Sequence, residues 1–200
     1  MSDTSAAATL FPHASKRQRY KSRSRLRSYW RPETTAQMTR PRGPNTRAGD
    51  EKDQEMELEK TKLDGVMILT PRAFADDRGM FWESWNARQF EELGLDTGFV
   101  QDNQSISRQM GTVRGLHYQA PPHAQAKLVR VLTGEILDVA VDFRRGSPTF
   151  GQWVGAVLSA ENRRQLLIPA GFLHGFVTRA PDTAVAYKCS DFYAREAEGA

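Results

Sequence analysis

The sequence predicts an all-β domain, either a sandwich or a barrel, and three observations support this prediction. Short apolar runs recur from Leu63 onward, and glycine and proline separate them. One short stretch has the features of a complete helix, and the chain contains no visible internal repeat. Many short strands with almost no helix are typical of two packed sheets or a closed barrel.

The first predicted strands and the helix precede residue 95. Residues 66–69 form a short apolar run that ends at Pro71, and residues 80–82 follow the turn signal Asp-Asp-Arg-Gly at residues 76–79. Residues 87–93 are predicted to form a helix, which Asn86 caps and Gly94 ends.

The later predicted strands crowd together after residue 126. They are expected at residues 127–132, 135–143, 152–158, 165–168, 172–178 and 184–189. Residues 159–164 are predicted to add one helical turn. Within residues 135–143, alternation puts two sets of side chains on opposite faces: Leu137, Val139 and Val141 on one, and Asp138, Ala140 and Asp142 on the other.

Residues 1–55 differ from the rest of the chain in charge and composition. They hold 12 of the 28 Lys and Arg residues but only 6 of the 24 Asp and Glu residues, which leaves residues 56–200 slightly acidic. Residues 16–27 alone contain seven cations. Such a segment buries too little apolar surface to offset the entropy of ordering it. We therefore predict a disordered basic extension at residues 1–55 and one folded domain at residues 56–200.

Three interpretations of this basic extension stay open. It could bind nucleic acid or an anionic surface, as clustered cations do. It could be a targeting peptide, since it is rich in Arg and Ser. It could also lie outside the natural protein, with translation starting at Met56, where the folded pattern begins. We favour the last interpretation.

Simple features of the chain exclude several protein classes. No run approaches the roughly 18 apolar residues of a membrane span, and the N-terminus lacks the apolar stretch of a secretory signal. We therefore expect a cytoplasmic protein without a membrane partner. The single cysteine, Cys189, allows no intrachain disulfide and is expected to be a buried structural thiol. The folded part gives no reason to expect nucleic-acid binding.

Two of the three histidines in the folded part lie in unusual settings. His117 and His174 each sit in a frame of small and apolar residues, whereas His123 does not. Cations cluster near His117 in the sequence. Strand alternation also turns Lys127 to the same face as Val129, among apolar residues, where a lysine needs a partner or an anionic ligand.

The sequence contains no cofactor or metal motif. A metal-binding cupin needs two histidines one residue apart, but the residue two positions after His117 is Gln119. Gly171 and Gly175 do not precede a helix, so they do not form a phosphate loop. A histidine base, a tyrosine acid and several cations remain, and this set suits proton transfer on an anionic substrate.

Eight sequence blocks in order carry a family resemblance. They are residues 74–83 (FADDRGMFWE), 100–107 (VQDNQSIS), 114–119 (RGLHYQ), 125–131 (QAKLVRV), 138–142 (DVAVD), 147–151 (SPTFG), 169–176 (PAGFLHGF) and 187–188 (YK). Each block is weak by itself, but together, at this spacing, they are highly specific. From about Met56 to Gly199 the chain resembles the dTDP-4-dehydrorhamnose 3,5-epimerases.

The resemblance implies a cupin-type jelly roll that forms a homodimer and uses no metal or organic cofactor. The implied substrate is dTDP-4-dehydro-6-deoxy-D-glucose, inverted at C3 and C5 on the route to dTDP-L-rhamnose. The implied catalytic residues are His117 as the base, Tyr187 as the acid and Lys127 as the cation that stabilises the C4 enolate. The implied substrate contacts are Arg78, Glu83, Asp102, Asn103, Gln104, Arg114, His174 and Glu198.

The chain departs from the family pattern in two places. It stops at Ala200, whereas family members continue through a Trp-Pro segment to a Lys-Asp near the end, whose aspartate orients the base histidine. We therefore expect a shortened C-terminus and an activity much weaker than that of a full-length enzyme. Gln104 stands where many relatives have His, and we expect a modest effect on binding because Gln keeps a donor and an acceptor.

Three alternative functions stay open at this stage. The chain could invert only C3 or only C5 of another deoxysugar. It could be a cupin that binds nucleotide sugars but has lost catalysis. It could also be a nucleic-acid-binding protein that depends on the basic extension.

Overall fold

The computed structural model describes residues 56–95 and 98–200, and the fold of this part is all-β as predicted. Its elements are β1 (Glu57–Lys60), β2 (Met67–Thr70), β3 (Ala73–Asp76), β4 (Gly79–Trp82), α1 (Ala87–Glu92), β5 (Gln101–Ser107), β6 (Val113–Gln119), β7 (Lys127–Thr133), β8 (Glu135–Asp142), β9 (Trp153–Ser159), β10 (Gln165–Ile168), β11 (Phe172–Thr178), β12 (Thr183–Cys189) and β13 (Glu198–Gly199). A 3-10 turn at Arg195–Ala197 precedes β13. The predicted basic extension, residues 1–55, lies outside the described residues.

Two antiparallel sheets form a jelly-roll sandwich. The six-stranded sheet has the order β1-β2-β10-β7-β12-β5, and the five-stranded sheet has the order β13-β6-β11-β8-β9. The hairpin of β3 and β4 forms a separate two-stranded sheet. Apart from the pairs β1–β2 and β8–β9, neighbouring strands in the two large sheets are not consecutive in sequence, which is the pattern of a jelly roll.

The main core lies between the two large sheets. The six-stranded sheet contributes Ile68, Val129, Val131, Leu166, Ile168 and Val185, and the five-stranded sheet contributes Ile136, Ala140, Ala156, Leu158, Phe172 and Phe176. A second apolar cluster covers the other face of the six-stranded sheet, where α1 buries Phe90 beside Leu69, Leu128 and Leu167. Helix α1 begins as predicted, because the Asn86 side chain accepts hydrogen bonds from the backbone N–H groups of Arg88 and Gln89.

Strand β8 shows which face of its alternating pattern is buried. Ile136, Asp138, Ala140 and Asp142 alternate with half-buried neighbours, so the face that carries two carboxylates points into the protein. The predicted alternation is confirmed. A buried carboxylate needs hydrogen-bond partners, and each of these two has at least one.

The predicted helical turn at residues 159–164 is wrong. This segment is a turn between β9 and β10, in which Arg163 has a positive φ of 57°. The Asn162 carboxamide oxygen accepts hydrogen bonds from the backbone N–H groups of Ser159 and Arg164, and its amide donates to the Val157 carbonyl. One backbone bond of helical spacing forms, from the Arg163 N–H to the Ser159 carbonyl at 3.1 Å, but the positive φ of Arg163 and these side-chain bonds keep the segment a turn.

Strands β5 and β6 were not predicted as complete strands. Both strands are rich in polar residues, and several of these residues line a cavity between the sheets. The sequence of each strand therefore lacks the alternation of apolar and polar residues that identifies a strand. Within residues 56–95 and 98–200, no helix is long and apolar enough to cross a membrane.

Candidate active site

A cavity of about 240 Å³ opens between the two large sheets. Its lining comes from both sheets and from the C-terminal segment: Gln101, Asn103, Ser105, Arg114, His117, Tyr118, Gln119, Gln125, Lys127, His174, Gly175, Phe176, Tyr187, Tyr193 and Glu198. Polar and charged side chains dominate this lining, in contrast to the apolar core beside it. Seven of the predicted site residues meet here.

The five-stranded sheet brings His117 and His174 side by side. They are register partners on β6 and β11. The strands approach closely at Gly115 and Gly175, since a Cβ on Gly115 would lie 2.5 Å from the Gly175 Cα. The φ of +115° at Gly115 also excludes other residue types. Glycine at both positions therefore allows the two imidazoles to share one wall of the cavity.

The two histidines differ in their surroundings. The side chain of His117 is 49% exposed, and its Nδ1 lies 3.8 Å from Glu198 Oε1, too far for a hydrogen bond. The side chain of His174 is only 8% exposed, and its Nε2 lies 2.7 Å from Oδ1 of the fully buried Asp138. His117 is thus accessible to a ligand and free to accept a proton, whereas His174 is fixed.

The six-stranded sheet supplies the opposite wall. Tyr187 on β12 is the register partner of Asn103 on β5 and of Val129 on β7, and Lys127 is the partner of Cys189. The period of two therefore turns Lys127, Tyr187 and Asn103 to the cavity, as alternation predicted for Lys127. Cys189 is buried, as expected.

Burial shifts the acid–base properties of this wall. Burial raises the pKa of the Tyr187 phenol, with a further rise from Cys189, while hydrogen bonding from Asn103 opposes it. Burial lowers the pKa of the Lys127 ammonium, and the acidic groups Cys189, Asp138 and Glu198 oppose that fall. Desolvation disfavours the charged form in both cases, so the phenol keeps its proton at neutral pH.

Lys127 is half-buried, and its ammonium group makes no hydrogen bond or ion pair with any other described residue. Its ammonium group therefore keeps its donors for a ligand in the cavity. An unpaired cation in a partly desolvated site is well suited to bind or stabilise a negative charge.

The C-terminal segment closes one end of the cavity. Gln119 holds it by donating to the carbonyls of His123 and Phe192 and by accepting from the backbone N–H of Ala194. The Tyr193 hydroxyl then donates to Glu198 Oε2 at 2.7 Å. This arrangement places an aromatic ring and a carboxylate at the edge of the cavity near His117.

Arg114 is a fixed cation on the same wall as His117. Its Nε donates to Ser107 Oγ at 3.0 Å, and one Nη donates to the Ile106 carbonyl at 3.2 Å. These bonds leave the other donors of the guanidinium for a ligand. A held arginine is suited to forked hydrogen bonds with phosphate oxygens.

Asp102 and Gln104 lie on the other face of β5, where alternation turns them away from the cavity. They line a separate cleft of about 400 Å³ with Trp85, Arg130 and Lys188. Asp102 is paired there with the Lys188 ammonium at 3.0 Å and 3.1 Å. Of the three predicted contacts on this strand, only Asn103 reaches the cavity.

Arg78 and Glu83 lie on or next to the β3–β4 hairpin, and neither lines the cavity of its own chain. The side chain of Arg78 is 90% exposed and pairs with Asp76, which also accepts from the backbone N–H of Arg78. The hairpin is rich in exposed apolar side chains: Phe74, Met80 and Phe81.

Sequence reasoning missed Asp138, Gln119 and Tyr193 as residues of this site. The signal for Asp138 was its position on the same face as Ala140, which would have indicated a buried carboxylate in need of a partner. Gln119 gave no comparable signal, because its role depends on contacts with residues more than 70 positions away in the chain. Tyr193 gave none either, because its role depends on the path of the C-terminal segment.

The described residues include no group of three or more His, Cys, Asp or Glu side chains that could hold a metal ion.

Comparison with known proteins gives consistent results. A family model described as dTDP-4-dehydrorhamnose 3,5-epimerase matches residues 60–200. A dTDP-4-dehydrorhamnose 3,5-epimerase from Pseudomonas aeruginosa is 56% identical over 144 residues, which are 72% of this chain and 78% of the relative.

Two solved structures have the same fold. A dTDP-4-dehydrorhamnose 3,5-epimerase from Bacillus anthracis, with TDP and PPi bound, has a TM-score of 0.71 and 50% identity over 72% of this chain and 82% of its own. A dTDP-6-deoxy-D-glucose-3,5-epimerase from Legionella pneumophila, in complex with dTDP-4-keto-L-rhamnose, has a TM-score of 0.69 and 52% identity over 72% of this chain and 76% of its own. The predicted cupin-type jelly roll is confirmed.

Proposed function

The chain belongs to the dTDP-4-dehydrorhamnose 3,5-epimerase family, and on this premise we propose that it converts dTDP-4-dehydro-6-deoxy-D-glucose to dTDP-4-dehydro-L-rhamnose through His117, Lys127 and Tyr187. The protein is an isomerase, and the reaction inverts C3 and C5 on the route to dTDP-L-rhamnose. The observation that carries the proposed roles is that a base and an acid project into one cavity from opposite sheets.

Inversion requires two groups on opposite faces of the sugar ring. His117 on the five-stranded sheet removes the proton from C3 or C5, both acidified by the C4 ketone. Tyr187 on the six-stranded sheet delivers a proton to the other face. His117 ends the step with one extra proton and Tyr187 with one fewer, so exchange with solvent restores both groups before the next step.

Lys127 stabilises the intermediate of each step. Removal of a proton beside the C4 ketone gives an enolate, whose oxygen carries the developing negative charge. The Lys127 ammonium has no partner among the described side chains and is half-desolvated, so it strengthens its interaction as that charge appears.

Tyr187 is prepared to donate a proton because its pKa is raised. Burial disfavours the phenolate and keeps the hydroxyl protonated near neutral pH. The nearby Asn103 and Arg114 oppose this rise and would stabilise the phenolate once the proton has left.

The remaining residues of the cavity bind the nucleotide sugar. Arg114 is held by Ser107 and suits the diphosphate. Tyr193, Glu198, His174 and Asn103 surround the rest of the ligand. The relatives from B. anthracis and L. pneumophila, whose structures hold TDP and a dTDP-sugar, support a thymidine nucleotide in this cavity.

A homodimer is the proposed assembly. The outer face of the five-stranded sheet carries the register rows Leu173–Val141–Trp153 and Val177–Leu137–Val157. Trp153 is 57% exposed and Val113, at the β6 edge of this face, is 70% exposed. A continuous apolar face of this kind is typical of an interface, and a second copy with the same face would cover it.

Arg78 and Glu83 are proposed to act across this dimer. They lie on an exposed hairpin and outside the cavity of their own chain, so they reach a substrate only from a second copy. Asp102 and Gln104 stay predictions of the family resemblance, since they face the second cleft. The cytoplasmic location also stays a prediction.

The roles are tested by following deuterium uptake from D2O into dTDP-4-dehydro-6-deoxy-D-glucose, with dTDP affinity measured in parallel. We expect uptake at C3 and C5. Uptake at one carbon alone would favour a single-site epimerase. Binding of dTDP without uptake at either carbon would favour a nucleotide-sugar-binding protein.

Replacement of Val139 by Asp tests the dimer separately. Val139 lies at the centre of the apolar face, opposite Gly155 and Gly175. We expect light scattering to give the mass of a dimer for the unchanged protein and for Val139→Ile, and that of a monomer for Val139→Asp. A dimer in Val139→Asp would place the interface elsewhere.

A further inference from the structure

We propose that Asp138 is a positioning residue of this site, which holds His174 through Oδ1 and supplies through Oδ2 the counter-charge of the Lys127 ammonium. This inference rests on the proposed function of Lys127. Asp138 does not line the cavity and touches no substrate, so it acts only through these two neighbours.

The first observation is an incompletely satisfied carboxylate. The side chain of Asp138 is fully buried on β8, and its Oδ1 lies 2.7 Å from His174 Nε2. Its Oδ2 is also buried but has no hydrogen-bond partner among the described residues. A buried acceptor without a partner destabilises the folded protein, so its retention needs another reason.

The second observation is a lysine without a partner on the opposite sheet. The Lys127 ammonium makes no hydrogen bond or ion pair with a described residue, although burial disfavours its charge. Three acidic groups interact with it electrostatically: Cys189 on the neighbouring strand, Asp138 from the facing sheet and Glu198 from the C-terminal segment. Cys189 is itself desolvated, which raises the pKa of its thiol and keeps it neutral near pH 7.

Asp138 and Glu198 are therefore the two carboxylates that support the charge of Lys127. Glu198 is 40% exposed at the cavity edge and accepts from Tyr193, so solvent weakens its effect. Asp138 is shielded from solvent and cannot move, because His174 holds it. At equal distance, a charge that is buried away from water interacts more strongly with the Lys127 ammonium than an exposed charge does.

Asp138 also determines which nitrogen of His174 faces the ligand. An ionised carboxylate only accepts hydrogen bonds, so Nε2 carries the hydrogen that it donates to Oδ1. Nδ1 is then the remaining nitrogen, and the ring lines the cavity. The same carboxylate thus fixes one ligand contact and maintains the charge of the catalytic lysine.

The direct test is to titrate Lys127 in the protein without substrate. The ¹H–¹³Cε resonance of Lys127, in protein labelled with ¹³C-lysine and assigned with Lys127→Met, reports its pKa. We expect the pKa of Lys127 to fall in Asp138→Asn and to stay near that of the unchanged protein in Asp138→Glu. Equal titration in the unchanged protein and in Asp138→Asn would overturn the inference.

Asp142→Asn is the matched control. Asp142 lies on the same face of β8 and is also fully buried, but Arg144, Ser147 and Thr149 bind it away from the cavity. We expect this variant to lose stability without a change in the titration of Lys127. If Asp138→Asn fails to fold, Asp138→Ser removes the same charge in a smaller side chain, and the same fall is expected.

Kinetics give a second readout. Asp138→Asn should lower kcat by about 10-fold or more, because less Lys127 is charged and the enolate is less well stabilised. An unchanged kcat would contradict the inference. If the unchanged protein shows no turnover, that result counts against the proposed function, whereas the titration still tests Asp138.

Discussion

The two walls of the cavity differ in how much water reaches their reactive side chains. His117, on the five-stranded sheet, is about half exposed, and its Nδ1 lies 3.8 Å from the partly exposed carboxylate of Glu198. Lys127 and Tyr187, on the six-stranded sheet, are partly desolvated, and burial shifts the pKa of each.

On the six-stranded sheet, desolvation favours the reactive form of Tyr187 but disfavours the reactive form of Lys127. Desolvation favours the neutral form of any titratable group. The neutral form of Tyr187 is the proton donor that the reaction needs, so burial alone prepares it. The neutral form of Lys127 is inactive, so this wall needs the nearby negative charges to keep the ammonium group.

Loss of the base should have the largest effect. His117→Asn keeps a polar side chain but removes the proton acceptor, so we expect deuterium uptake at C3 and C5 to fall by about 10³-fold. The matched control is His123→Asn, since His123 pairs with Asp191 and does not line the cavity. If deuterium uptake in His117→Asn stays within about 2-fold of uptake in the unchanged protein, another residue is the base.

Loss of the lysine charge should have the next largest effect. Lys127→Met keeps most of the side-chain volume but removes the cation, and we expect kcat to fall by about 10²-fold to 10³-fold. Lys60→Met, on the exposed strand β1, is the control for the loss of a lysine. A change in KM alone would show that Lys127 binds the substrate without stabilising the enolate.

Loss of the acid should separate the two walls. In Tyr187→Phe, His117 still removes a proton and can return a deuteron to the same face, so we expect exchange into the substrate to continue. Formation of the inverted product should fall by about 10²-fold, because no group donates from the opposite face. NMR of substrate and product in D2O distinguishes the two outcomes. If Tyr187→Phe loses exchange and inversion to the same extent, His117 and Tyr187 do not have separate roles as base and acid.

The smallest expected effect is on stability. The pKa of Lys127 is lowered in the folded protein, so between the folded and unfolded pKa values the unfolded chain binds more protons, and stability rises with pH there. At pH 7 the folded protein bears the cost of a desolvated charge. Lys127→Met should therefore raise Tm by a few degrees, since about 1 kcal/mol corresponds to about 2–4 °C for a domain of this size.

A thermal melt at pH 7 measures this effect, and Lys60→Met should leave Tm unchanged. A fall of Tm in Lys127→Met would show that the lysine stabilises the fold. It would contradict the prediction that the charge of Lys127, which the reaction needs, destabilises the folded protein.

The sequence predicted the strands that are rich in apolar residues, such as Phe172–Thr178, which the structure reproduces residue for residue. It did not predict β5, because Gln101, Asn103 and Ser105 face a polar cavity and Asp102 and Gln104 face a second cleft. Strands that line a site on one face lose the pattern that identifies strands.

The same limit applies to the site. Alternation placed Lys127 inward, and the resemblance brought His117 and Tyr187 together. The Asp138–His174 pair depends on the order of β8 and β11 in one sheet, and the hold of Gln119 on the C-terminal segment depends on contacts to residues more than 70 positions away. Sequence periodicity carries no information on either arrangement.

The proposed mechanism requires a base and an acid on opposite sheets to act on one sugar ring. Incubation of the protein with dTDP-4-dehydro-6-deoxy-D-glucose in D2O, followed by ¹H NMR, tests this requirement. We expect deuterium at both C3 and C5 of the inverted product, with inversion but not exchange lost in Tyr187→Phe. Protein that binds dTDP but leaves both carbons undeuterated, or Tyr187→Phe that inverts both carbons at an unchanged rate, would contradict it.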